Sequence, residues 1–107
     1  KVMQRKTRKK RSDRTHVIYM LRAGKLIYIG ITAKTCSTVL KSAKTRWMKH
    51  VYRSRSENKN WPLYCAIRRL GVDAFELSII ETVRGKALAH SRERELIRER
   101  KPKLNLA

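Results

Sequence analysis

Two tyrosines, Tyr19 and Tyr28, an arginine and a histidine four residues apart, Arg46 and His50, and one glutamate, Glu93, are the residues whose types and spacing could do chemistry. A phenol donates a proton and becomes a base only once ionised, ordinarily near pH 10. A guanidinium offers a planar fork matched to phosphate oxygens, and an imidazole can donate or shuttle a proton near neutrality, so Arg46 beside His50 is what phosphate capture needs. A carboxylate turned towards apolar neighbours is costly unless a cation or strong donors meet it, which in so basic a chain points to a metal ligand. Each residue also has a plainer reading. Strand tyrosines usually pack a core edge with the hydroxyl in water, charges on a basic helix are usually solvated, and helical glutamates usually pair with nearby arginines. That last reading accounts for Glu95 and Glu99 and accounts poorly for Glu93.

These side chains are useful only if the backbone gathers them. Val17 to Leu21 and Leu26 to Ile31 are apolar, β-branched runs separated by Arg22-Ala23-Gly24-Lys25, which predicts a β-hairpin. A two-residue Ala23-Gly24 turn pairs Leu21 with Leu26 and Tyr19 with Tyr28, and strand alternation then sets both phenols on one face beside the bare backbone of Gly30. Ala33 to Thr38 reads as a polar connection. Val39, Leu40, Ala43, Trp47, Met48 and Val51 recur at helical spacing and predict a helix to about Arg53 that carries Arg46 and His50 on one side. After a polar loop, Asn60-Trp61-Pro62 reads as a helix start and Gly71 as its stop, with Leu63, Ala66, Ile67 and Leu70 as the apolar stripe. Trp61 is expected to cap the small core, with stacking on an exposed base as the alternative. Phe75, Leu77 and Ile79 alternate with Glu76, Ser78 and Ile80 and predict a third strand. A final helix runs from about Lys86 to Arg100, stopped by Pro102. On it Ala89, Glu93, Leu96 and Ile97 share the inward face, whereas Glu95 and Glu99 point away. The resulting order is β-β-α-α-β-α, an α+β fold with a small antiparallel sheet flanked by helices.

Composition sets the partner. The chain has 107 residues, with 28 Lys and Arg against 8 Asp and Glu, a formal charge of +20. Such a charge repels itself and is best explained by a polyanion, nucleic acid first. No apolar run approaches the ~20 residues of a membrane span, and no signal-peptide or lipidation pattern is present, so a soluble, intracellular protein in a nucleic-acid-containing compartment is expected. Residues 1–15 form a basic leader expected to be disordered without a partner, and residues 16–107 the single domain, whose core must come from about ninety residues. Arg5, Lys6, Arg8, Lys9, Lys10 and Arg11 of the leader, with Lys34, Lys49 and Arg53 of the domain, are the expected phosphate contacts. Cys36 and Cys65 lack partners at metal-ligand spacing and are read as free, structural thiols.

With these residues assembled, the chain resembles the GIY-YIG nuclease family, which includes the incision domain of the UvrC repair nuclease, homing endonucleases and some restriction enzymes. The resemblance runs from His16 to Ala107. Val17-Ile18-Tyr19 and Tyr28-Ile29-Gly30 match the two name-giving motifs, Arg46 and His50 the helix-borne Arg-x-x-x-His, and Glu93 the metal-binding glutamate. Lys101-Pro102-Lys103-Leu104-Asn105 resembles the terminal Pro-x-aromatic-Asn motif, with Asn105 in the asparagine position. Val17 stands where the family usually has glycine and Leu104 where an aromatic is common. Neither departure removes a catalytic group.

The resemblance implies a metal-dependent endonuclease that hydrolyses DNA phosphodiester bonds, of homing, mobile-element or phage type, with one Mg2+ or Mn2+ ion held by Glu93. It implies catalytic roles for Tyr19, Tyr28, Arg46, His50, Glu93 and Asn105, with Tyr28 favoured over Tyr19 as the base, Arg46 supplying positive charge, His50 orienting or relaying a proton, and Asn105 tying the chain end to the site. The expected partner is double-stranded DNA, with specificity supplied by loops, the leader, a dimer partner or a separate recognition domain. A non-catalytic basic protein that binds RNA or DNA is the competing reading, since composition fits it equally well.

Overall fold

A computed structural model describes residues 14–105. The leader residues expected to bind phosphates, Arg5 through Arg11, lie outside the described residues. The elements are β1 (Thr15–Ala23), β2 (Leu26–Ala33), α1 (Val39–Ser56), α2 (Pro62–Leu70), β3 (Glu76–Arg84) and α3 (Lys86–Arg100), the order read from the sequence, with a 3-10 turn at Val72–Ala74 before β3. Helix α1 runs one residue triplet beyond Arg53 because Ser54 folds its hydroxyl back onto the Val51 carbonyl at 2.6 Å, so a polar residue sits buried without an unmade bond. Thr38 caps the N-terminus of α1 by accepting from the Lys41 N–H at 3.1 Å. Pro62 opens α2 and Gly71, at φ 86°, follows its last residue.

The three strands are antiparallel in the order β2-β1-β3. The hairpin register differs from the expected one. Ala23 pairs with Leu26, which makes Gly24-Lys25 the two-residue turn and sets Tyr19 opposite Gly30 and Tyr28 opposite Leu21. The cause is local: Gly24 adopts φ 62°, the positive angle that the first position of a tight hairpin turn requires and that glycine supplies without strain. The displacement is two residues, an even number, so strand alternation keeps both phenols on one face.

Helices cover the two faces of the sheet. Val17, Tyr19 and Leu21 pack with Ala43, Trp47 and Val51 of α1 and Leu63, Tyr64, Ala66 and Ile67 of α2. Ile18 and Ile29 pack with Leu96 of α3 on the other side. Alternation sends Ile79 to the first cluster and Ile80 to the second, and a bulge in the β1–β3 pairing between Ile18 and Tyr19 keeps Val83 on the same side as Ile80. It also pairs Ile18 with Glu81, whose carboxylate accepts two bonds from Arg92 Nε of α3, at 3.0 and 3.1 Å. The bulge thus aims the cation that fixes the helix carrying Glu93.

After α3 the chain turns through Lys101, at φ 46°, and runs along the free edge of β2. The Leu104 N–H donates to the Ile27 carbonyl at 3.0 Å. Asn105 accepts from the Ile29 N–H at 2.9 Å and donates to the Ile29 carbonyl at 2.8 Å. One side chain therefore replaces a strand neighbour at an edge that would otherwise expose bare backbone groups. No helix among the described residues is long and apolar enough to cross a membrane.

Candidate active site

Gly30 is the floor of the site. A Cβ built there would lie 2.5 Å from both Cζ and Oη of Tyr19 and 2.8 Å from Cε2 of Tyr28, so the two rings converge over a position that only glycine can occupy. The strand pairing produces this directly, because Tyr19 stands opposite Gly30 and the next same-face residue on β2 is Tyr28. Their ring centroids are 6.3 Å apart.

Above the phenols runs α1. His50 is buried, and its Nε2 lies 2.8 Å from the Tyr19 hydroxyl. Its ring meets Tyr28 edge-on at 5.4 Å. Burial, with Arg46 and Arg53 nearby, pushes the His50 pKa down to about 4, so the imidazole is neutral at pH 7. Arg46, one helical turn earlier, borders the same space. Among the described residues, the buried Arg46 Nε and His50 Nδ1 have no hydrogen-bond partner. Unmade bonds of this kind cost about 1–3 kcal/mol each, a cost that native proteins accept mainly where function needs the free group.

A cavity of about 260 Å³ opens here, lined by Tyr28, Arg46, His50, Arg53, Trp61, Leu63, Tyr64, Leu104 and Asn105. Tyr28 borders the cavity, while Tyr19 lies beneath it, fully buried and bonded to His50. Burial raises both phenols above the ordinary range. Their mutual repulsion adds to the effect at Tyr19, and Arg46 opposes it at each. Arg46 offers the positive charge expected of it, but desolvation is the larger influence, and neither phenol is ionised to any extent at neutral pH.

Glu93 approaches from α3, on the opposite face of the sheet. Its side chain is 17 % exposed, burial raises its pKa, and its negative charge raises the pKa of Tyr19 and Tyr28. It reaches the tyrosines through its field and does not line the cavity. His90, one turn earlier, places Nδ1 3.7 Å from Glu93 Oε1, and the His90 ring lies 6.2 Å from that of His16. Among the described residues no group of three or more His, Cys, Asp or Glu gathers as a metal cage. A half-buried carboxylate with one weak ion-pair partner suits a hard divalent cation that keeps most of its waters, and does not suit a closed zinc site.

The expected phosphate contacts separate. Arg53 lines the cavity and pairs with Glu57 at 3.8 Å. Lys49 lies in a shallower depression along α1 with Thr45, Met48, Tyr52 and Arg53. Lys34 is exposed beyond the end of β2, and its N–H donates to the Thr15 carbonyl at 2.8 Å. The connection that follows is pinned to α1, with Ser42 Oγ accepting from the N–H groups of Thr35 and Cys36 at 3.1 and 3.0 Å.

Three placements depart from the sequence reading. Trp61 does not cap the core. It stands just ahead of the first residue of α2, 41 % exposed at the cavity rim, and stacks on Tyr64 at 5.2 Å. Tyr64 also lines the cavity, a role its sequence signals only through the spacing of three from Trp61 that puts both rings on one helical face. The cysteines are free, as expected, yet Cys65 is exposed and Cys36 only partly covered, so neither is a core residue.

A family model described as the GIY-YIG catalytic domain matches residues 15–105. No curated protein and no solved structure gives a significant match. The family model spans most of the chain and begins and ends with the two segments that pair on β2 and frame the tyrosines, and the chain belongs to the GIY-YIG nuclease family.

Proposed function

We propose that the protein is a metal-dependent endonuclease that hydrolyses DNA phosphodiester bonds, of homing, mobile-element or phage type. The observation that carries the reading is the meeting of Tyr28, Arg46 and His50 around one cavity, with two buried nitrogens that have no partner among the described residues and can receive an anionic guest. Electrostatic binding alone needs neither the paired phenols nor the half-buried glutamate.

In this reading Arg46 clamps the scissile phosphate and stabilises the extra negative charge of the transition state, an effect commonly worth several kcal/mol. Tyr28, at the cavity wall, takes the proton of the attacking water in its ionised form, its own proton having first gone to solvent, so the active fraction is small at neutral pH and grows as pH rises. Tyr19 and neutral His50 form a hydrogen-bonded pair behind it, and when Nε2 accepts from the Tyr19 hydroxyl the buried Nδ1 carries the proton and is the donor offered to a phosphate oxygen. Glu93 would hold one Mg2+ or Mn2+, which when bound supplies charge for the phosphate and the leaving 3′ oxygen. Asn105 holds β2 in place under Tyr28 and is a positioning residue.

Supercoiled plasmid incubated with the protein and magnesium tests the proposal. Nicked and linear products that EDTA suppresses are expected, and Glu93→Ala should lose cleavage by two orders of magnitude or more while its affinity for DNA stays within a fewfold. An intact plasmid at every protein concentration leaves a basic binding protein.

A further inference from the structure

We propose that Trp61 is a stacking platform for an unpaired base of the substrate strand, beside the phosphate that is cut. The proposal rests on the nuclease reading for the phosphate and on separate geometry for the base. Trp61 is 41 % exposed, whereas the other tryptophan, Trp47, is in the core. Its ring is backed by Tyr64 in a stacked pair, 5.2 Å between centroids and 28° between planes. Tyr64 in turn lies 6.4 Å from His50, so two ring contacts separate the exposed indole from the imidazole at the centre of the site.

The rim around the indole is cationic. Lys59 places its ammonium 4.5 Å from the Trp61 ring, and Arg46 and Arg53 line the same cavity. An aromatic plane flanked by positive charge is complementary to a nucleotide, which alternates a flat π-system with a phosphate. Lys59 is half exposed and its ion pair with Glu57 is loose, at 3.5 Å. It can leave the ring and follow the phosphate when a base arrives. A protein guest would bring its own carboxylates and apolar side chains, and nothing in this cavity distinguishes them. A nucleotide uses the plane and the cations together.

Stacking on Trp61 requires a base whose face is not covered by its neighbours. A perfect duplex offers none until a base is extruded, and a bulge, mismatch or single-stranded junction offers one at little cost. The substrate class implied is therefore DNA with an unstacked base next to the cut.

Short duplexes differing at one site test this: a perfect duplex, one with an unpaired 2-aminopurine, and one with an abasic residue in its place. Binding is measured in EDTA, so that no cleavage is needed for a signal. The wild-type chain should quench the 2-aminopurine and bind that duplex on the order of tenfold or more tighter than the abasic one. Trp61→Ala should abolish both differences while changing affinity for the perfect duplex by less than threefold, and Trp61→Phe should restore them, with far-UV circular dichroism showing each variant folded. Absence of quenching in the wild-type chain, or an equal loss of affinity for all three duplexes in Trp61→Ala, overturns the platform. Quenching without plasmid nicking keeps the platform and removes the nuclease. Nicking without quenching removes the platform alone.

Discussion

The two phenols occupy different environments despite being near neighbours. Tyr19 is sealed beneath His50, and Tyr28 borders the cavity, where its oxygen can reach a water that attacks the phosphate. Tyr28→Phe removes one oxygen and should lower turnover on the order of a hundredfold or more with little change in DNA affinity. Wild-type turnover in that variant would transfer the base role elsewhere. Because burial raises both phenols, turnover of the wild-type chain should climb with pH above neutrality, steeply enough to be read in a pH–rate profile. His50 gives a second pH signature with a definite sign. Its pKa is about 4 in the fold against an ordinary 6.5, so between those two values the unfolded chain binds a proton that the folded one does not. Stability is full above pH 6.5 and falls as pH drops from there towards 4, by roughly 3 kcal/mol at the lower limit if only this group counts. Urea titrations from pH 7.5 to 4.5 should show the decline, and His50→Gln should flatten it. An unchanged slope in that variant would mean that other groups control acid unfolding.

At the scale of elements, the site depends on how closely two strands and a returning chain end approach. Gly30→Ala would put a methyl group 2.5 Å from Tyr19 Cζ. Tyr19 is fully buried under His50 and cannot swing aside, so β2 must shift. A loss of about 1–3 kcal/mol in thermal or denaturant unfolding, with cleavage falling further than stability explains, is the expected result. A Gly30→Ala protein with normal stability and rate would show that the phenols do not need that floor. Asn105 belongs to the same scale, since its two bonds to Ile29 hold the strand between Tyr28 and Gly30. So does the bulge at Ile18, which aims Glu81 at Arg92 and so fixes α3 one residue before Glu93.

For the whole molecule, charge governs the approach to DNA. A net charge of +20 predicts tight, salt-sensitive binding that owes little to sequence. Residues 1–14 carry Lys1, Arg5, Lys6, Arg8, Lys9, Lys10, Arg11 and Arg14. Deleting them should reduce the slope of log affinity against log salt by several units and leave the cleavage rate at saturating DNA nearly unchanged. A constant slope would assign the leader to a different partner. The same experiment separates the leader from the cations on the domain, Lys34, Lys49 and Arg53, which remain in the truncated chain.

The sequence by itself determined the element order, the sharing of one face by Tyr19 and Tyr28, and the inward turn of Glu93. These follow from periods of two and 3.6 residues, which act locally and survive errors of a residue or two at element ends. It also contained the charge that names the partner class. The hairpin register is local as well, fixed by the positive φ of Gly24 and not by the apolar pattern, which two placements of the turn satisfy; tertiary structure alone decided the remaining points. It decided that Trp61 lies at a cavity rim and not in the core, since hydrophobicity reports affinity for burial and says nothing of which neighbours are there to cover a residue. It decided, too, that Glu93 meets the tyrosines from the far face of the sheet through its field. Distance between side chains on different elements depends on packing contacts far apart in sequence, and no short-range period encodes them.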